Sequence, residues 1–220
     1  MTPEHAALID GEPLPRERVD SFLEAPRRGA GNGATSHHAP APARRQTEPP
    51  SVARQRRRWA TQVVVTDELA RRACTDRDLD VPEEVSPVSV LAVAETDVAD
   101  LGSIVAAALA HSPAARTLLA ALESEQTVPE TAVRDYYDRN RDRFLTREAL
   151  RRGVTPFDGV APEDLLPYDE VRDGISRELR KAAGRKAFFG WLDQARAGVT
   201  YTHGHEHPGD PSHPDHEHRH

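Results

Sequence analysis

One stretch constrains this chain more than any other. Between 168 and 197, Val171, Ile175, Leu179, Ala182 with Ala183, Phe188 with Phe189, and Leu192 recur every three to four residues, and no proline interrupts them. That spacing matches the turn of an α-helix, about 3.6 residues, and a helix of this length must bury its apolar stripe against neighbouring elements. Gly198 suits the stop that follows it, and the β-branched run Val199-Thr200-Tyr201-Thr202 reads as a short strand. The expectation is a mainly α fold with a small strand at its end.

The rest of the chain agrees. Ala6–Ile9 reads as a short strand, Asp10-Gly11 as a turn, and Val19, Phe22 and Leu23 as one face of a short helix with Pro15 in its first turn. Residues 26–53 are rich in Pro, Gly and Ala and have no apolar period, as expected of a linker. The run Gly29-Ala30-Gly31-Asn32-Gly33 lacks the flanking strand and helix of a phosphate loop. A helix is expected over 54–76, with Trp59, Val63, Leu69, Ala70 and Ala73 inward and the Arg54–Arg58 cluster solvated. The apolar run Val88–Ala94 is ambiguous between strand and helix. Asp97 suits the cap of a helix over 98–110, and Ser112-Pro113 opens the next. Thr127 and Glu130 have the spacing of a capping box for a third helix, which carries Val133, Tyr136 and Tyr137 and ends between Asn140 and Phe144. Residues 145–167 read as a connection. The expected divisions are 1–25 (strand and short helix), 26–53 (linker), 54–202 (helical domain) and 203–220 (unstructured tail).

Composition excludes several classes of function. Lys and Arg number 29 against 36 Asp and Glu, a net charge of −7; phosphate contacts need a basic face, so no nucleic-acid partner is expected. The longest apolar stretch, 103–110, falls far short of the roughly 20 residues that span a bilayer, so no membrane partner is expected either. The N-terminal residues lack the basic start and apolar run of a secretory leader, and the expectation is a cytoplasmic protein. A lone cysteine, Cys74, forms no internal disulfide and no Cys-rich zinc module, and is expected to be a buried, inert thiol. Gly-x-Ser-x-Gly and Walker patterns are absent from the sequence.

Three pieces fall in a recognisable order: Ala7-Leu8-Ile9-Asp10-Gly11-Glu12-Pro13; Tyr136-Tyr137 with Asn140 and Phe144; and the long 168–197 segment followed by Val199-Thr200-Tyr201. Together they resemble the helical chaperone module of the SurA/PrsA-type parvulin foldases, over roughly residues 6–25 and 54–202. The resemblance implies that the opening segment pairs with the last strand, Ala7–Asp10 against part of Val199–Thr202. Backbone chemistry asks for the same pairing, because each segment is too short to satisfy its own polar groups. In that family an isomerase domain sits between the Tyr-Tyr helix and the last helix. Here the 23 residues 145–167 fill its place, and a chain below about 40 residues rarely builds a core without disulfides or metals. The resemblance therefore implies a chaperone module without isomerase activity, acting on an unfolded or dedicated client protein. Tyr136 and Tyr137 diverge by about 100° on a helix, so at most one is deeply buried.

A holding chaperone draws its affinity from apolar area, about 25 cal/mol per Å². The candidate peptide-binding residues are Trp59, Phe157, Phe188, Phe189 and Trp191; Phe188 and Trp191, three apart, share a helix face. A second kind of site is written at the end of the chain. Seven of the 11 histidines fall after 202: His203, His205, His207, His213, His216, His218 and His220. Neutral imidazole suits Zn²⁺ and Ni²⁺, and in an extended segment His203, His205 and His207 leave on one side. The metal candidates are these seven, and the alternative function is nickel or zinc handling by the tail. Pro, Asp and Glu between the histidines favour several exchangeable sites over one rigid tetrahedral one.

Overall fold

Asp10-Gly11 shapes the start of the chain. In the computed structural model, which describes residues 4–24, 49–82, 103–155 and 160–207, His5–Ile9 (β1) and Glu12–Pro15 (β2) form an antiparallel hairpin. Its two-residue loop holds Asp10 at φ 52° and Gly11 at φ 85°, the left-handed pair that matches the twist of a tight hairpin. This corrects the expectation that Pro15 lies inside a helix: Pro13 and Pro15 belong to β2. They are tolerated there because the strand order is β2-β1-β3, so β2 is an edge.

On the other side of β1 lies Val199–Tyr201 (β3). Ala7 faces Tyr201, Leu8 faces Thr200 and Ile9 faces Val199. The Asp10 amide donates to the Gly198 carbonyl and the Thr202 amide to the Ala6 carbonyl, each at 3.0 Å. The expected pairing of the opening and closing segments is present.

Among the described residues seven α-helices follow the hairpin: Arg16–Glu24 (α1), Pro50–Asp76 (α2), Ser103–His111 (α3), Pro113–Ser124 (α4), Glu130–Arg139 (α5), Arg147–Arg151 (α6) and Tyr168–Arg196 (α7), with 3₁₀ turns at Arg141–Phe144 and Pro162–Asp164. The fold is mainly helical with one three-stranded antiparallel sheet. α2 starts at Pro50, earlier than expected, where a proline costs no hydrogen bond. Ser112 caps α4 by accepting from the Ala115 amide at 3.0 Å. The capping box expected at Thr127 does not form. Pro129 is the residue before α5 and no side chain caps it, while Glu130 is the first helical residue and accepts from Arg172 at 2.9 Å. The linker up to 48, the Val88–Ala94 run and Asp97 lie outside the described residues.

The chain divides into two compact units, residues 117–191 and the remainder. In the first, Val133, Tyr137, Phe144, Leu145, Ala149, Leu165 and Ile175 form the core. Tyr137 is buried and its hydroxyl donates to the Leu166 carbonyl at 2.7 Å; Tyr136 is half-buried. Leu145 and Leu165 form an antiparallel bridge, flanked by amide bonds from Thr146 to Asp164 (2.8 Å) and Leu166 to Phe144 (2.7 Å). The segment expected to be a plain connection is thus closed at its base and carries α6. Nearby, α4 and α7 touch backbone to backbone: a Cβ at Gly184 would lie 2.7 Å from the Glu123 Cα.

In the second unit, Ala6, Ala7, Ile9, Val19, Ala60, Val63, Val65, Ala108 and Leu109 are sealed from solvent. Arg18 bonds Asp67 at 3.0 Å and Arg72 bonds Glu68 at 3.1 Å, tying α1 to α2 and bracing α2 itself. Cys74 is buried, its thiol 3.4 Å from the Ala114 carbonyl. No single described helix is long and apolar enough to cross a membrane.

Candidate functional site

The aromatic candidates separate by burial. Phe188 is 1 % exposed, so its ring is packed into the core and presents no surface in this structure. Its ring meets Trp191 at 5.2 Å, the shared face expected from their spacing. Phe189 and Trp191 are half-buried, and so is Trp59, which packs on Phe22 with ring centroids 5.9 Å apart. Phe22 also meets the His111 ring edge-on at 4.7 Å. Phe157 lies outside the described residues. Among the described residues the large hydrophobics that stand exposed are Val52 and Leu150, and neither has an aromatic ring.

The histidine candidates separate as well. His213, His216, His218 and His220 lie outside the described residues. His203 is exposed and His207 half-buried, but His205 is only 4 % exposed. Thr61 gives its single hydroxyl proton to the Arg57 carbonyl at 2.9 Å. It must therefore accept from His205 Nδ1, which lies 2.8 Å away. The alternation that would present three rings on one side is broken, because one ring is turned into the fold. Among the described residues no three His, Cys, Asp or Glu side chains converge as a metal site. Within 203–207, the segment expected to open the tail, His205 is buried.

What holds 203–207 was not legible in the sequence. A row of polar residues on α2 meets the closing segment, turn by turn. Arg196 donates to Thr66 Oγ1 at 3.3 Å, and the Tyr201 hydroxyl donates to Gln62 Oε1 at 2.9 Å. His205 meets Thr61, and Arg58 donates through Nε to the Glu206 carbonyl (3.0 Å) and through Nη2 to the His207 carbonyl (2.8 Å). Thr61, Gln62 and Thr66 are all 0 % exposed and Arg58 is 7 % exposed. Burying polar groups costs free energy unless each finds a partner, so this seam depends on the bonds being made. It is imperfect: Gln62 Nε2 and Arg196 Nε are buried without one.

Burial pushes the Arg196 guanidinium below its ordinary range and the Tyr201 phenol above its own. It also holds the His205 imidazole below the ordinary value. Arg57 and Arg16 push the same way, while Asp20 and Glu206 oppose them. A histidine whose folded pKa is depressed binds its proton more readily once released. Its contribution to docking is therefore complete above the unfolded value, about 6.5, and is lost as pH falls from there through the folded pKa. Relative to the intrinsic exchange rate, which itself slows with falling pH, the protection of the Thr202 and His205 amides should decline between pH 7.5 and 5.5, and His205→Gln should remove most of that decline. An unchanged pH response in the variant would refute this role.

The arrangement provides no nucleophile–base pair, and its polar groups are spent on holding the closing segment in place. No protein-family model, curated protein or solved structure matches this chain, so the SurA/PrsA resemblance stands on the residue patterns alone.

Proposed function

We propose that this chain is a client-binding, chaperone-like helical module of the SurA/PrsA type without prolyl isomerase activity. Its partner is an unfolded or dedicated client protein. The observation that carries the reading is the terminal clamp, in which the last strand pairs with the first in the register Ala7–Tyr201, Leu8–Thr200, Ile9–Val199. The pinched base at Leu145 and Leu165 fits the same reading, because the position where an isomerase domain would be inserted is sealed by main-chain bonds.

The test is light scattering from an aggregating client. The full chain should suppress scattering, a chain ending at His207 should do so equally well, and neither should accelerate prolyl isomerisation of a model peptide. Isomerase turnover, or no suppression by either chain, would contradict the reading.

A metal-handling tail is the second reading, favoured by the concentration of seven of 11 histidines after residue 202. With His205 engaged by Thr61, the ligands for Zn²⁺ or Ni²⁺ would be drawn mainly from His203, His207, His213, His216, His218 and His220. Removing 208–220 should abolish most of the bound metal measured by equilibrium dialysis. Retained stoichiometry in the shortened chain would refute it.

A further inference from the structure

β1 and β3 are held in place by different means. β1 carries core: Ala6, Ala7 and Ile9 are sealed from solvent. β3 is three residues long, lies at the sheet edge and has no fully buried residue. Its attachment is main-chain bonding to β1 plus the polar seam on α2, and that seam leaves Gln62 Nε2 and Arg196 Nε unpartnered. Polar attachment exchanges for water at small net cost, whereas withdrawing β1 would expose the core. Releasing β3 frees one edge of β1, a row of unpaired amides and carbonyls beside an ordered sheet.

We propose that β3 is an exchangeable strand, and that an extended client segment takes its place against β1. This rests on the client-binding reading and names its mode. The occupant follows from what the edge recognises. The bonds from the Asp10 amide to the Gly198 carbonyl and from the Thr202 amide to the Ala6 carbonyl involve no side chain of the closing segment. The Thr200 side chain, opposite Leu8, is exposed and selects nothing. An edge read through its backbone accepts many sequences, as a client-binding site must, and strand addition is an established way for sheets to take peptides.

The experiment uses the full chain. Leu8→Cys with Thr200→Cys, in a Cys74→Ala background, places two thiols at facing positions that a disulfide can span. Oxidised, the chain cannot release β3; reduced, it serves as its own folding control. The probe is a synthetic peptide with the sequence of residues 197–207, used at about millimolar concentration to match the effective concentration of the tethered strand. The peptide should bind the wild-type and reduced chains, and binding to the oxidised chain should fall at least tenfold. Suppression of client aggregation should fall with it and return on reduction. Equal peptide binding in the oxidised form, or none to the wild type, overturns the proposal. Suppression that survives oxidation overturns strand exchange and leaves the chaperone reading standing. Peptide binding blocked by the disulfide, without any suppression, overturns the chaperone reading and retains the exchange. A concentration-dependent dimer that the disulfide abolishes, with no peptide bound, gives the edge to a second copy and overturns the client assignment.

Discussion

Phe188→Ala should destabilise the protein by about 3–5 kcal/mol, the usual cost of emptying a sealed aromatic site. The ring is 1 % exposed and packs against Trp191. Truncation loses its transfer free energy and leaves a cavity that neighbours on a rigid helix fill poorly. Thermal unfolding should begin roughly 10 °C earlier, at a few degrees per kcal/mol for a chain of this size. Phe189→Ala is the informative neighbour. Phe189 is half-buried, so its loss should cost about 1 kcal/mol, and any reduction in client suppression should exceed what the stability change explains. Equal stability losses at the two positions would mean that burial on this face of α7 is misplaced. A Phe188→Ala protein of unchanged stability would return that ring to the surface.

The sequence declared some of this architecture and concealed the rest for identifiable reasons. α4 and α7 were legible because proline or glycine marks an end and apolar residues keep a helical period between. The β1–β3 pairing was legible because the resemblance implied it and because each of these two short segments is too short to satisfy its own backbone. β2 was hidden by Pro13 and Pro15, which argue against a strand unless it is known to be an edge; Asp10-Gly11 was the available signal for a hairpin. α2 concealed the most. From Ala60 to Asp67 every residue is buried, so the helix is enclosed on all sides and no apolar stripe exists to orient it. Thr61, Gln62 and Thr66 are polar residues that nothing in the local sequence marks as buried, and their partners lie 130 to 144 residues away in the chain. His205 looked like a ligand because its neighbours in sequence are histidines, and only tertiary contact shows that its ring serves the fold.

The closing segment offers the second large effect. A chain ending at Gly198 loses β3, its bonds to β1 and the seam from Arg58 to Gln62. Each hydrogen bond is worth about 1 kcal/mol net, and the entropy regained by releasing the residues returns part of the total. The expected loss is about 2–4 kcal/mol, which also corresponds to opening the strand in roughly one molecule in a few hundred, rare enough for a stable fold and frequent enough for exchange. A chain ending at His207 keeps every one of these contacts and should match the full-length protein. Thermal unfolding of the two shortened chains beside the full chain is therefore the most direct measurement of whether the module is closed by its own ends. The prediction is a midpoint unchanged on stopping after His207 and lowered by roughly 5–15 °C on stopping after Gly198. Identical midpoints for all three chains would contradict it.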